Sequence, residues 1–277
     1  MAPPLPLSQG RLRTYLTCAR RFQLQVVNQL PWPRRPWTEA EEDTIDLGRQ
    51  FHQLLQRYFL DFPVEKFDLQ DERLRRWWRA FRAAPLKALQ SKTGRRLPEL
   101  TLTVPIAEHL LHGRFDLLLL EEDAQGQQSA HIFDWKTGRP PGGGVAALRG
   151  EWQTRLYLAL LAESGRALTP LTAGEISPEH ISITYWFAGE PQTPLTIRYS
   201  ASWHARNWAE LEAVVADIDR HLYADDIWPL TTDWTACRDC IYQAICGRQD
   251  AGQQMPAHDE EPEKLETALF DQEPQLP

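Results

Sequence analysis

The sequence predicts an α/β fold in which one mixed sheet is flanked by helices, and two observations carry that prediction. Apolar residues recur at helical spacing in the N-terminal third of the chain, and the pattern then switches to short runs with strand-like alternation. A meander of strands followed by a helix and further strands is typical of a sheet covered by helices. With 277 residues, of which 42% are apolar, the chain can bury the core of one large domain.

Three helices are predicted before the sheet. Ser8 is a suitable N-cap for a helix running to about Val27, and a proline-rich segment follows it. The second helix spans about residues 38–60 and the third about residues 69–89. These helices form an N-terminal helical part over about residues 8–92.

The sheet core is predicted over about residues 99–200. In chain order we expect strands 99–106, 110–120 and 129–135, a Gly- and Pro-rich loop 137–144, a helix 146–164, strands near 181–187 and 195–199, and then a helix 202–223. That last helix and a cysteine cluster make up residues 201–248. Residues 1–248 are therefore expected to form one domain, followed by an acidic, disordered tail over residues 249–277.

Charge is unevenly distributed along the chain. The net charge is −8, but the tail carries eight acidic residues against one lysine, which leaves the rest of the chain near neutrality. Between Arg73 and Arg96 there are nine Lys or Arg residues and no carboxylate, with three aromatic residues among them. Such a segment suits a nucleic-acid backbone and stacked bases. It is equally typical of a solvated helix whose aromatic side chains lie in the core.

The four cysteines are spaced as if they formed one site. One is near the start of the chain and three form a C-x2-C-x5-C cluster near the end: Cys18, Cys237, Cys240 and Cys246. Residues 1–30 lack the apolar stretch of an export signal and no run is long enough to span a membrane, so we expect a cytoplasmic protein without structural disulfides. An iron-sulfur cluster, a zinc ion, or no metal at all are the remaining interpretations.

The middle of the chain carries a pattern suited to phosphodiester chemistry. A G-R-F-D segment ends at Asp116, and a D-W-K-T-G segment begins at Asp134. Asp134 and Lys136 share one face of a strand while Trp135 points to the other face, and pairing with the preceding strand would bring Asp116 to the same place. Two converging carboxylates suit Mg²⁺ or Mn²⁺, and a nearby lysine can orient a water and offset charge on a phosphate.

These two segments resemble the core of the PD-(D/E)XK nuclease superfamily, and its RecB-like branch in particular. That branch has a Q-x3-Y motif on the helix after the D-x-K strand, matched here by Gln153 and Tyr157, and an upstream G-x3-H element, matched by Gly48 and His52. The resemblance implies a restriction-endonuclease-like fold in which Asp116, Asp134 and His52 bind the metal. It also implies that Lys136 positions water and that Gln153 and Tyr157 line the substrate groove. Glu99 lies where many relatives have an acid, and its role stays open.

The cysteines extend the resemblance to nearly the whole domain. Iron-sulfur members, such as AddB-type nuclease domains and CRISPR adaptation nucleases, are similar in having a Y-x2-C-x-R-x-F/Y segment early in the chain, matched here by residues 15–22, and three cysteines after the core. This implies a structural [4Fe–4S] cluster that joins the N- and C-terminal helical segments. The chain has alanine where many relatives have proline after the early cysteine, and it has no G-x4-G-K-[ST] motif, so any helicase would be a separate subunit.

The sequence therefore favours a metal-dependent DNA nuclease, an exonuclease in repair, recombination or defence, acting on single-stranded DNA or on DNA with free ends. The rival interpretation is a non-catalytic nucleic-acid-binding or assembly subunit that keeps the fold. A zinc-stapled interaction protein is the third.

Overall fold

The computed structural model describes residues 4–31, 37–64, 69–83, 86, 89, 94–164, 168, 176–224 and 226–252. Its helices are α1 (Gln9–Thr17), α2 (Ala19–Phe22), α3 (Glu39–Phe59), α4 (Glu72–Ala83), α5 (Gly144–Gly150), α6 (Trp152–Glu163) and α7 (Ala201–Ala224). Its strands are β1 (Pro6–Leu7), β2 (Arg95–Ile106), β3 (His109–Glu122), β4 (Gln128–Lys136), β5 (Ile181–Phe187) and β6 (Leu195–Arg198). A π-helical turn, Gln23–Val27, extends α2.

The long strand β3 is the centre of the sheet. Strand β2 pairs antiparallel with it along its length, while β4 pairs antiparallel with its C-terminal half and β1 pairs parallel with its N-terminal half. Strand β5 runs parallel to β4, and β6 runs antiparallel to β5. The predicted mixed sheet flanked by helices is thereby confirmed.

Two cores cover the two faces of the sheet. On one face α3 and α4 pack their apolar side chains against Phe133, Trp135 and Trp186. On the other face α1, α6 and α7 pack against residues such as Ile132 and Ile183. Because neighbouring strand residues point to opposite faces, Trp135 enters the first core while Asp134 and Lys136 face the helices of the second.

Helix α3 begins where the sequence predicts. The Thr38 hydroxyl accepts a hydrogen bond from the Glu41 amide at 3.3 Å, and the Glu41 carboxylate accepts one from the Thr38 amide at 2.6 Å. This reciprocal capping satisfies amides that the first helical turn leaves without partners.

The single helix predicted to run from Ser8 to Val27 is wrong, because the chain breaks at Cys18. Ser8 does cap the N-terminus, but Cys18 has an extended backbone (φ −161°, ψ 108°). The amide of Arg20 donates to the carbonyl of Pro229 at 3.1 Å, whereas a continuous helix would direct it to Leu16. A contact with the C-terminal segment therefore replaces a local helical bond.

The helix predicted over residues 146–164 is also divided. Glu151 has an extended backbone (φ −66°, ψ 136°), so α5 and α6 are separate helices with a change of direction between them. The third predicted helix is shorter than residues 69–89, since α4 spans Glu72–Ala83, and parts of 84–93 lie outside the described residues. Most of the predicted tail also lies outside them. Within the described chain, no helix is both long and apolar enough to cross a membrane.

Candidate active site

Three carboxylates lie in a row across three adjacent strands. The pairs on either side of Glu99 place it beside Asp116, and extending the register of β3 and β4 by one residue beyond Leu117 and Phe133 places Asp116 beside Asp134. Directly opposed residues of antiparallel strands project from the same face, and like charges in such positions repel one another. The sheet therefore brings the three acidic side chains to one place.

Glu99 departs from regular strand geometry at this point. Its backbone lies in the left-handed region (φ 55°), which a residue with a side chain rarely adopts, and the ladder between β2 and β3 has no pair at this position. Its carboxylate forms an ion pair with the Arg114 guanidinium, with 3.0 Å between Oε2 and Nε. Burial, and after it the nearby Asp116 charge, raise the pKa of Glu99 to about 7.

Helix α3 brings a histidine to the same carboxylates. His52 is buried and its Nδ1 atom lies 3.3 Å from Asp116 Oδ1. Ligand atoms of His52, Glu99 and Asp116 all lie within 4.8 Å of one another. Burial acts to raise the pKa of Asp116, but the His52 charge, together with the Trp135 amide that donates to Asp116 at 2.8 Å, lowers it below its usual value.

Asp134 belongs to a second part of the site, formed with a lysine and a glutamine. Lys136 Nζ lies 2.8 Å from Asp134 Oδ1, and the Gln153 amide nitrogen donates to Asp134 Oδ2 at 2.7 Å. Lys136 also donates to the Gln153 carbonyl oxygen at 3.0 Å. A glutamine can bond a carboxylate and an ammonium at once because its amide has one donor end and one acceptor end. Burial raises the pKa of Asp134 to about 6, against the lowering effect of Lys136.

Helix α6 supplies this glutamine and the residue that supports it. Gln153 and Tyr157 lie one turn apart on the face toward the sheet. Tyr157 is buried, its ring packs edge-on against Phe115 at 5.0 Å between centroids, and a hydrogen bond links its hydroxyl to Gln153. Burial and the Asp134 charge raise the pKa of Tyr157 well above its ordinary value. Gln153 therefore contacts the charged residues directly, while Tyr157 holds Gln153.

The donor set fits a divalent cation of the hard class. Three buried or half-buried carboxylates and one imidazole face the same space, and two of the carboxylates have raised pKa values because their negative charges are unfavourable there. Oxygen ligands with this concentration of charge are those that Mg²⁺ and Mn²⁺ prefer. Asp134 lies outside the 4.8 Å group, since its oxygens bond Lys136 and Gln153, and Glu99 lies within it.

Comparison with known families agrees with this mixed sheet flanked by helices. The family profile of the PD-(D/E)XK nuclease superfamily matches residues 6–247, which is most of the chain. The chain belongs to the PD-(D/E)XK nuclease superfamily.

Two solved structures are similar to this superfamily member. One is the "Putative exonuclease" of Eubacterium rectale, with 10% identity and a TM-score of 0.49 over 92% of this chain and 90% of that one. The other is SSO0001, with 11% identity and a TM-score of 0.37 over 87% of this chain and 85% of that one. No curated protein matches the sequence significantly.

The structure places the four cysteines of this PD-(D/E)XK protein in one neighbourhood. The pKa of the Cys246 thiol is raised, first by burial and then by the charges of Cys240, Cys18 and Cys237. Arg248 donates to Cys237 Sγ at 3.2 Å. Among the described residues, no three Sγ atoms lie within 4.8 Å of one another. The N-terminal and C-terminal segments therefore meet at the thiols, away from the carboxylate site.

The basic segment is a packed helix in its described part. Three of its arginines pair with acids at the start of α4, Arg73 with Asp71 and Arg75 and Arg79 with Glu72. Its aromatic residues, Trp77, Trp78 and Phe81, pack on the core beneath α3 and α4. The packed-helix interpretation therefore accounts for these aromatic side chains, and base stacking does not.

Sequence reasoning left the role of Glu99 open, although one local feature determines its place. The two-residue turn at Ala107 and Glu108 pairs Ile106 with His109, and that register carries Glu99 to a position opposite Asp116. Ala107 adopts a positive φ of 47° in this turn. Because the turn has none of the glycine or asparagine residues that usually mark a hairpin, the sequence did not reveal the register.

Proposed function

We propose that this protein is a metal-dependent deoxyribonuclease of the RecB-like type, an exonuclease that acts in DNA repair, recombination or defence. One observation carries the proposal: Asp116, Asp134 and Lys136 converge on one buried face, and Gln153 bonds both members of the Asp134–Lys136 pair. Membership of a nuclease superfamily supports a nucleic-acid substrate.

The residues of the site have different roles in hydrolysis. Asp116 and Asp134 would hold Mg²⁺ or Mn²⁺, with His52 and Glu99 as further ligands. When bound, such a cation lowers the pKa of water and offsets charge on phosphoryl oxygens. Lys136, which Asp134 and Gln153 hold in one orientation, positions the attacking water and stabilises negative charge that develops on the phosphate. Water attacks phosphorus in line and loses a proton to solvent, the P–O3′ bond breaks, and the 3′-oxygen takes a proton from solvent and leaves as a hydroxyl.

The rival function is a nucleic-acid-binding or assembly subunit without turnover. Such a subunit has no need for a lysine that is 7% exposed, since burying an ammonium is costly unless it serves a specific partner. Here Lys136 has two partners that hold it beside the carboxylates. This costly arrangement favours an enzyme over a subunit without turnover. We expect its substrate to be single-stranded DNA or DNA with free ends, and its partner to be a helicase or another repair or defence subunit.

Digestion of end-labelled DNA tests the proposal. We expect wild-type protein, purified without oxygen, to degrade single- or double-stranded DNA only when Mg²⁺ or Mn²⁺ is added. Asp134→Ala removes a ligand and the partner of Lys136, so its rate should fall by at least about a hundredfold. Cleavage by wild type in the presence of excess chelator, or by Asp134→Ala at the wild-type rate, would falsify this mechanism.

For the cysteines we propose a structural [4Fe–4S] cluster that joins α1 to the C-terminal segment. The mutual influence of the four thiols supports a single site, and Arg248 provides a positive charge beside one of them. A single zinc ion with Zn–S bonds of about 2.3 Å needs its sulfurs roughly 4 Å apart. Among the described residues no three Sγ atoms lie within 4.8 Å of one another, so the thiols are not gathered as a zinc site would require. Four thiolates leave no open position, so this site is scaffold and not active centre.

Cys18→Ser should destabilise the fold first and lower activity as a consequence. Loss of a link between distant segments costs about 2–5 kcal/mol in comparable cross-links, and metal-binding free energy contributes directly to folding. The measurements are the melting temperature, the iron content and the visible absorbance of anaerobically purified protein. Thr17→Ser, an exposed change at the neighbouring residue, is the control. A stable, cluster-free variant with full activity would refute the structural role.

A further inference from the structure

A small cavity opens beside the Lys136–Gln153 pair, and one wall of it comes from helix α1. The cavity is lined by Gln9, Arg13, Lys136, Leu148, Glu151, Gln153 and Tyr185. Lys136 and Gln153 belong to the active site, whereas α1 lies far from them in sequence and has no role in the proposed chemistry. Gln9 and Arg13 are four residues apart, so they project from the same face of α1.

The side chains on this wall are available for a ligand. Gln9 is only 7% exposed, yet its side chain makes no hydrogen bond within the described residues. Arg13 is exposed and, among the same residues, has no hydrogen-bond or ion-pair partner. Arg11, two positions earlier, instead donates to the Pro6 carbonyl at 2.5 Å. The Gln9 amide lines the cavity without being fully enclosed, so its N–H and C=O groups can bond a ligand that enters there.

Helix α1 is held rigidly enough to present these groups. Leu12 and Tyr15 are buried in the core, and the Tyr15 hydroxyl donates to Asp217 of α7 at 2.5 Å. Before the helix, the Leu5 amide donates to the buried His109 at 2.9 Å. The backbone of this wall is therefore held against the sheet and against α7, and binding a ligand requires ordering of the Arg13 side chain but not of the helix.

Arg13, a cation without an acidic partner among the described residues, indicates which ligand suits this wall. The active site contains Glu99, Asp116 and Asp134, and Glu151 also lines the cavity, so a polyanionic strand meets mostly negative charge there. Lys136 and Arg13 are the cations of the cavity, and Lys136 is already bonded to Asp134. A guanidinium binds phosphate through paired hydrogen bonds, and an amide N–H can donate to a further phosphate oxygen.

We propose that Gln9 and Arg13 form a phosphate subsite of the catalytic groove, which binds a backbone phosphate of the substrate strand next to the scissile one. The inference rests on the proposed nuclease function and deepens it. Helix α1 ends at Cys18. The segment that carries this cysteine therefore also positions the phosphate subsite. The subsite binds backbone and not bases, so its contribution is independent of sequence.

The salt dependence of DNA binding tests the subsite. Binding of a fluorescent single-stranded oligonucleotide is followed by anisotropy at several KCl concentrations, in an Asp134→Asn background that prevents cleavage. Each phosphate contact contributes about 0.7 to the slope of log K against log salt for single strands. Arg13→Gln should therefore reduce the magnitude of the slope by about 0.7 and weaken binding roughly five- to tenfold at moderate salt. Arg13→Lys should retain the slope.

Steady-state cleavage gives an independent readout. With an otherwise wild-type active site, Arg13→Gln should raise KM more than it lowers kcat, since the lost contact is remote from the reacting atoms. Arg206→Gln, at an exposed position of α7, is the matched control and should change neither KM nor the salt slope. An Arg13→Gln protein with the wild-type slope and KM overturns the subsite while nuclease activity stands. Wild-type protein that neither binds nor cleaves DNA overturns both proposals.

Discussion

Lys136→Met is expected to lower the single-turnover cleavage rate by about a hundred- to a thousandfold, the effect of removing one preorganised charged donor from an active site. Methionine retains the apolar stem and removes the ammonium that lies 2.8 Å from Asp134 Oδ1. Asp134 would then lose the partner that lowers its pKa, which would rise further above about 6, so less of the carboxylate would be ionised to bind metal.

Stability measurements separate this effect from misfolding. Breaking one half of a buried ion pair can cost about 3–5 kcal/mol, although protonation of Asp134 limits the loss. The rate is therefore measured well below the melting temperature, with saturating Mg²⁺ or Mn²⁺, beside Arg198→Met, which removes an exposed cation from strand β6. A folded Lys136→Met protein that cleaves within threefold of wild type would contradict the role of this lysine.

Gly113→Val is expected to displace helix α6, which carries Gln153, and thereby to lower the cleavage rate. A Cβ atom at Gly113 would lie 2.8 Å from Leu160 Cδ1, a distance that Cβ atoms essentially never show, and 3.0 Å from Tyr157 Cε1, which is tighter than nine in ten such contacts. The Leu160 methyl can rotate away, but the Tyr157 ring is packed against Phe115. Helix α6 must therefore move from the sheet and take Gln153 with it.

The expected loss for Gly113→Val is about 2–3 kcal/mol of stability from overpacking, and at least about a hundredfold in rate, since displacements near 1 Å can have that effect. Gly113→Ala should show a smaller loss in both quantities. Gly150→Ala provides the control, because a Cβ atom there meets nothing within 4 Å. Thermal melting and single-turnover rates measure the series, and a Val variant equal to Gly150→Ala would show that the close approach is unimportant.

The helices and strands that the sequence predicts correctly are those specified by interactions between residues close together in the chain. Thr38 and Glu41 cap α3 through bonds between residues three apart, and strand β5 alternates and ends where its apolar run ends. The helices that sequence predicted poorly break at Cys18 and Glu151, where nothing in the local periodicity marks an interruption. At the first break, a bond from Arg20 to Pro229 replaces a helical one, and no local pattern encodes a partner so distant.

The basic segment shows the same division. The segment from Arg73 to Arg96 contains no acidic residue. Its first arginines nevertheless pair with Asp71 and Glu72, which immediately precede the segment. The charge of the segment alone therefore does not include the two acids that partly neutralise it. Whether its aromatic residues face solvent or core depended on the placement of α4 against α3, and that is a tertiary property.

The sequence by itself determined the superfamily, the order of the helices and strands, and the residue types of the site, because motif spacing and alternation are local properties. It placed Asp134 and Lys136 on one face for the same reason. Only the tertiary structure aligned Glu99 with Asp116 and Asp134, drew His52 to them, gathered the four cysteines and placed Gln9 and Arg13 beside Lys136. These arrangements depend on strand register and on helices packed across long sequence separations, which local sequence patterns do not encode.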